Sequence, residues 1–158
     1  LFRSYQLTLF LYLHPTGDKV YRYLIYSFNK DLTSEVYPTS FSPWPIAKST
    51  FFGSGIPNEA GAILDTQTSP FYTYIFAKGH VYVSQRSAID STSGTLKTSF
   101  QQSDSSNSLN VFYNIPFAPT AVASTTQSKV LLFFKGFEYV FYDTSDKKVV
   151  WSGEFCGD

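Results

Sequence analysis

The stretch Leu131-Leu132-Phe133-Phe134-Lys135-Gly136-Phe137-Glu138-Tyr139-Val140 decides the reading of this chain. An apolar, aromatic run meets a Lys-Gly pair, and a second run of rings and branched side chains follows at once. Glycine supplies the positive φ of a tight turn, while aromatic and β-branched residues suit a pleated surface, so the stretch predicts a β-hairpin. Two more windows repeat it, Tyr12-Leu13-His14-Pro15-Thr16-Gly17-Asp18-Lys19-Val20-Tyr21 and Tyr74-Ile75-Phe76-Ala77-Lys78-Gly79-His80-Val81-Tyr82-Val83. All three align without a gap up to Gly17, Gly79 and Gly136, which stand 62 and 57 residues apart. Beyond the glycine the second and third stay in step, and the first carries one extra residue.

A second signal travels with the first. Ile56-Pro57-Asn58-Glu59-Ala60-Gly61-Ala62-Ile63 and Ile115-Pro116-Phe117-Ala118-Pro119-Thr120-Ala121-Val122 both read Ile-Pro, four residues, Ala, then a branched apolar residue, each at a similar distance before its hairpin. Two features in one order at one period mark a repeat architecture. The approximate units are 1–48, 49–112 and 113–158 of one domain spanning 1–158. Each holds a short Ala strand, the hairpin, and a polar stretch with room for a fourth strand. In the second unit that stretch runs from Ser87 to Asn110, and its tip, Gln101 to Asn107, is poor enough in apolar side chains to predict a mobile surface loop. It reads as a loop between repeats rather than a linker between small domains, because the repeat runs across it.

Composition agrees with an all-β chain. Of 158 residues, 19% are aromatic and only 15% charged, and 21 Ser and 15 Thr supply turns. A chain this long buries roughly 70% of its unfolded surface, enough for a core without disulfides or metal. Twelve basic and 12 acidic side chains cancel, which leaves no field to draw phosphates and argues against nucleic acid and anionic membranes as partners. The run Leu7 to Leu13 is too short and wrongly flanked for a signal peptide, and reads as a strand. No apolar run approaches the ~20 residues that span a bilayer, so a soluble protein is expected. The chain begins at Leu1 and contains no Met, as a processed or an incompletely read protein would. Cys156 is the one cysteine, either a free thiol or half of a bond to another chain or segment.

The hairpin at Leu131–Val140, the segment Gly55-Ile56-Pro57-Asn58-Glu59-Ala60-Gly61-Ala62 and the Tyr37-Pro38 before it resemble hemopexin repeats. Trp44-Pro45 followed by Ser49-Thr50-Phe51-Phe52-Gly53-Ser54-Gly55-Ile56 is similar to the plant members of that fold, the albumin-2 type of legume seeds, and Leu1-Phe2-Arg3-Ser4 looks like the end of their blade-opening strand. The resemblance implies a hemopexin-like β-propeller, four-bladed in the family, of which three units are detected. A fourth blade is then missing, too divergent to detect, or supplied by another copy, as in a homodimer. In animal members a disulfide joins first and last blades, and the resemblance makes Cys156 a candidate for one half of it. The family also implies an axial channel lined by backbone at Gly61, Ala62, Thr120 and Ala121, able to hold a calcium or sodium ion. Where the family has an Asp before the blade-opening Ala, this chain has Gly61 and Thr120, so the acidic support is gone and a cation would meet carbonyl dipoles instead.

Little in the residues points to catalysis. No nucleophile elbow, glycine-rich phosphate loop, calcium loop or metal-spaced Cys and His cluster is present. His14 and His80 fall in hairpins 66 residues apart and are the candidate haem or ligand contacts, against the plain reading of surface histidines. Asp143 and Asp146 before Lys147-Lys148 read as a solvated hairpin tip. Trp44, Trp151, Tyr139 and Phe141 could stack sugars or bases, but most rings of a sheet protein are core. The resemblance implies a non-enzymatic seed albumin of the cytosol or a storage compartment, serving nutrient storage and binding haem or a polyamine such as spermine near the channel. A protein-docking module comes second. A carbohydrate-binding propeller comes third, since Trp44 and Trp151 occupy different phases of their units.

Overall fold

Rings and branched side chains alternate through the hairpin windows, and strands form there because a pleated backbone sends successive side chains to opposite faces. The computed structural model describes residues 7–11, 19–25, 40–41, 46–57, 59–66, 68–88, 91, 93–125, 127 and 129–155, with side-chain surroundings from residue 47 onward. The first sheet joins β1 (Leu7–Leu11), β2 (Lys19–Ile25), β3 (Ser40–Phe41) and β4 (Ile46–Ala47), and a single turn of helix, α1 (Lys48–Phe51), follows. The second sheet runs in order β5 (Ile63–Asp65), β6 (Phe71–Ala77), β7 (His80–Arg86) and β8 (Thr95–Gln101). The third repeats that order with β9 (Ala121–Ser124), β10 (Val130–Lys135), β11 (Glu138–Asp143) and β12 (Lys148–Glu154). Each strand pair is antiparallel. The protein is therefore all-β, with almost no helix among the described residues. No helix there is long and apolar enough to cross a membrane. β1 and β2 flank the first predicted hairpin turn; His14 and Gly17 within it, and Tyr37, Pro38, Trp44 and Cys156 elsewhere, lie outside the described residues.

The second and third sheets match in detail. Thr66 Oγ1 donates to the carbonyl of Tyr72 at 3.2 Å, and Thr125 Oγ1 donates to that of Val130 at 2.7 Å, so each sheet pins the loop into its second strand in the same way. Each also carries a register shift between its third and fourth strands, at Val83/Ser84 and at Phe141/Tyr142. The hairpin turns differ. Lys78 and Gly79 both take positive φ, the requirement of a type I′ turn, whereas in the third sheet Gly136 alone does, at the first central position as in type II′. The ladders pair Ala77 with His80 and Lys135 with Glu138. The gapless alignment through the glycine is thus offset by one residue, and Ile75, not Phe76, is the counterpart of Phe133. Phe137 holds the second central position, where Gly79 stands in the other turn, and a type II′ turn asks no positive φ of it.

That offset makes the packing repeat. Ile75 rests on Phe51 and Phe52 from the segment leading into the second sheet. Phe133 rests on Phe112 from the segment leading into the third, with ring centroids 5.8 Å apart. The main core lies between the two sheets: Tyr74, Phe76, Val81, Val83 and Phe100 on one side face Phe112, Ile115, Phe133, Val140 and Tyr142 on the other. Phe112 sits at its centre, edge-to-face with Tyr74 and Phe76; each such pair adds about 0.5–1.5 kcal/mol beyond area burial.

The polar tip at 101–107 is held, contrary to the composition-based expectation of a mobile loop. Asn110 is 1% exposed, and its side-chain N–H groups donate to the carbonyls of Gln102 at 2.8 Å and Asp104 at 2.6 Å, while its Oδ1 accepts from the Phe112 N–H. Asp104 and Asn107 close short turns onto Ser106 and Leu109. Gln102 donates to the Phe117 carbonyl at 2.8 Å and its backbone N–H to that of Gly79. Side-chain amides substitute for the apolar burial that this segment lacks.

Candidate functional site

Pro57 and residues 59–62 lead into the second sheet beside the β6–β7 turn. Gly61 N–H donates to the Phe76 carbonyl at 2.6 Å, Phe76 N–H returns to Ala62 at 2.9 Å, and Ala62 N–H crosses to the Pro119 carbonyl at 3.2 Å. That last bond sets Gly61 and Ala62 against Pro119 and Thr120, with Ala121 next in line. A Cβ on Gly61 would lie 2.5 Å from the Pro119 oxygen and 3.4 Å from Thr120 Cα. The glycine is required by that approach, and an acidic side chain has no room here. Thr120 N–H donates to the Phe134 carbonyl at 2.8 Å, the counterpart of the Gly61 bond. Carbonyls at this junction already accept backbone N–H groups, so a cation would rely on their second lone pairs.

Beside the junction, Pro57, Glu59, Ala77, Lys78, His80 and Tyr82 line a pocket of about 320 Å³. Lys78 Nζ lies 2.6 Å from Glu59 Oε2 at the exposed rim, and that carboxylate's hydrogen bond holds the ammonium pKa above its usual value. The His80 imidazole sits 6.3 Å from the Tyr82 ring, tilted by 37°. His80 is thus placed in a hollow with an aromatic neighbour. His14, its partner in the sequence reading, lies outside the described residues. Among the described residues no three His, Cys, Asp or Glu side chains converge on one point. Were a haem to bind here, His80 would supply a nitrogen to its iron, Pro57, Ala77 and Tyr82 an apolar wall, and Lys78 a cation for a propionate once Glu59 yields it. For a polyamine the only carboxylate in the lining is Glu59, already engaged by Lys78.

Asp143 and Asp146 behave as the hairpin tip predicted. Asp143 Oδ1 accepts the N–H groups of Ser145 and Asp146, bonds that hold its carboxyl below the usual range, and Asp146 pairs with Lys148 in solvent. The sequence reading missed the ion pair of Asp65 and Arg86, 3.0 Å apart with both side chains buried, and Thr73 Oγ1 donating to the same Asp65 oxygen at 2.5 Å. Burial pulls the guanidinium pKa down and Asp65 opposes it. The two residues lie on separate strands and no local pattern joins them. Glu59, Lys78 and Tyr82 were missed for a similar reason, since the fold brings Pro57 and Glu59 to a hairpin distant in sequence. The chain matches no protein-family model and no curated protein.

Proposed function

We propose that the chain is a non-enzymatic propeller of the hemopexin fold, a seed albumin of the albumin-2 type that serves nutrient storage and binds a small ligand, haem or a polyamine, beside the Ala62–Pro119 junction. The observation that carries this reading is the hydrogen bond from Ala62 to Pro119, which places the first strands of two like sheets side by side, as blades around an axis require. The repeated threonine bond and the repeated register shift support it. The His80 pocket opens beside that junction and offers an imidazole to haem iron. Calorimetric titration with spermine and Soret titration with haem test it. Saturable binding of haem weakened in His80→Ala, or of spermine weakened in Glu59→Gln, supports the reading; silence in both removes the ligand role and leaves storage.

A second reading, a module that docks other proteins or a second copy of itself, draws on the turn end of the third sheet. There Phe137 is 70% and Phe155 53% exposed, and Phe155 stacks on Phe134 and leans on Tyr139. Exposed rings in one cluster favour contact with another surface. Light scattering across a concentration series, repeated on Phe137→Ser, separates this reading from the first.

A further inference from the structure

The other end of the third sheet carries a different hollow. Tyr142 pairs with Val149 and Phe141 with Trp151, so Val150 is an extra residue with no partner across the ladder. In a regular strand Val150 and Trp151 would project to opposite faces; the bulge re-aims them, and both line one open groove of about 430 Å³ with Thr125, Gln127, Val130 and Phe141. The second sheet has the same bulge, but its extra residue is Lys97, whose Nζ reaches back to Gln85 at 3.2 Å. One backbone device thus serves two ends: closed off by a polar bond in one sheet, filled with apolar side chains that stay open in the other.

The groove is built rather than incidental. Trp151 is 64% and Val150 47% exposed, although large apolar side chains normally withdraw from water. Its polar wall is fixed: Thr125 Oγ1 donates to the Val130 carbonyl, Gln127 N–H donates to Thr125 Oγ1 at 3.1 Å, and Val130 N–H donates to the Gln127 carbonyl. The Gln127 backbone is held in place while its carboxamide makes no hydrogen bond to the described residues. None of the lining side chains is charged.

We propose that this groove binds a neutral saccharide, with the C–H face of one pyranose ring seated on the Trp151 indole and its hydroxyls on Gln127. The negative face of an indole attracts the polarised C–H groups of a sugar. A carboxamide offers both a donor and an acceptor, as hydroxyls demand. An uncharged lining matches an uncharged ligand, because a phosphate or carboxylate entering it would lose water without gaining a counter-charge. The volume falls in the range of small-ligand sites. The second sheet does not repeat the site, since Thr98 there holds the position that Trp151 holds in the third. It does not depend on the His80 pocket.

The test is saturation-transfer NMR on the intact chain with the methyl glycosides of glucose, galactose, mannose and N-acetylglucosamine, and with cellobiose, lactose and chitobiose. At least one of these takes up saturation at its ring C–H protons. Loss of the stacking face in Trp151→Ala weakens that binding by about tenfold, and Trp151→Phe retains it within a few-fold; Gln127→Ala weakens it as well. Trp151 is exposed enough for these variants to fold, and unchanged thermal unfolding verifies it. Transfer to no member of the panel overturns the proposal, as does transfer unchanged by Trp151→Ala. A mass by sedimentation that rises with concentration in the parent but not in Trp151→Ala also overturns it, assigning the groove to a second copy. Spermine and haem titrations are unaffected by Trp151→Ala, so the two sites fail independently.

Discussion

The backbone N–H of Ala62 donates to the Pro119 carbonyl across 3.2 Å, and one residue earlier the bare Cα of Gly61 leaves room for that same oxygen. The two sheets meet there with no side chain between them. Adding a methyl group puts its carbon 2.5 Å from the Pro119 oxygen and 3.3 Å from the Phe76 oxygen, both backbone atoms that cannot swing aside. Gly61→Ala is expected to cost roughly 1–3 kcal/mol, as overpacking of a tight site does, and Gly61→Asp more, because its carboxylate would face those two oxygens. Urea denaturation reads both; a Gly61→Ala midpoint equal to the parent's sinks the argument. Thr120→Ala, at the exposed counterpart, should shift the midpoint by less.

The 101–110 segment stands or falls with one amide. Asn110 is buried, and its side chain serves the carbonyls of Gln102 and Asp104 and the N–H of Phe112. Asn110→Ala leaves those groups without partners, at about 1–3 kcal/mol for each buried orphan, so a loss on the order of 3 kcal/mol is expected. Limited proteolysis should then cut between 101 and 110, where the parent resists. A variant with unchanged stability and unchanged cleavage would show that water replaces the amide at no cost.

These two sites mark where the sequence was readable. The hairpins at Tyr74–Val83 and Leu131–Val140 announce themselves because turn glycine, rings and branched residues act within ten positions. The paired Ile56 and Ile115 were rightly read as equivalent, and both pack into core clusters. Composition misjudged the 101–107 tip because it counts apolar residues and is blind to what one buried Asn110 can tie down. The turn offset escaped because the positive φ of Lys78 has no signature in residue type. His80 was singled out on its chemistry, but the hollow around it needs Pro57 and Glu59 from another segment. Trp151 was named among rings able to stack a ligand, with most rings read as core, and only the bulge beside it makes a groove.

Asp65 and Arg86 give a prediction with two arms. They lie 3.0 Å apart on the face that also carries Ile63, Ile75 and Tyr82. Removing one partner of a buried pair typically costs about 3–5 kcal/mol, while replacing both by apolar side chains of similar size is often close to neutral. Asp65→Asn should therefore lower stability by about 3 kcal/mol or more. Asp65→Leu combined with Arg86→Met should regain most of it in urea unfolding. A double variant as unstable as the single one would mean that the pair adds net stability.

Tyr74 governs the alkaline limit. Its ring is 7% exposed between the two sheets, and burial, aided by the nearby Tyr72, pushes the phenol pKa from 10.0 up to about 12. Burial raises Tyr142 in the same direction. The neutral phenol is thus favoured by the fold, so its contribution is fully present below pH 10 and is lost as pH climbs from 10 towards 12, where the unfolded chain releases the proton and the folded one does not. A two-unit shift corresponds to on the order of 2–3 kcal/mol. Tyr74→Phe keeps the packing and removes the ionisation, so its stability should match the parent's near neutral pH and decline less steeply above pH 10. Urea midpoints across that range, with phenolate absorbance followed in parallel, decide the matter: superimposable alkaline limbs would show that Tyr74 ionises as freely when folded as when unfolded.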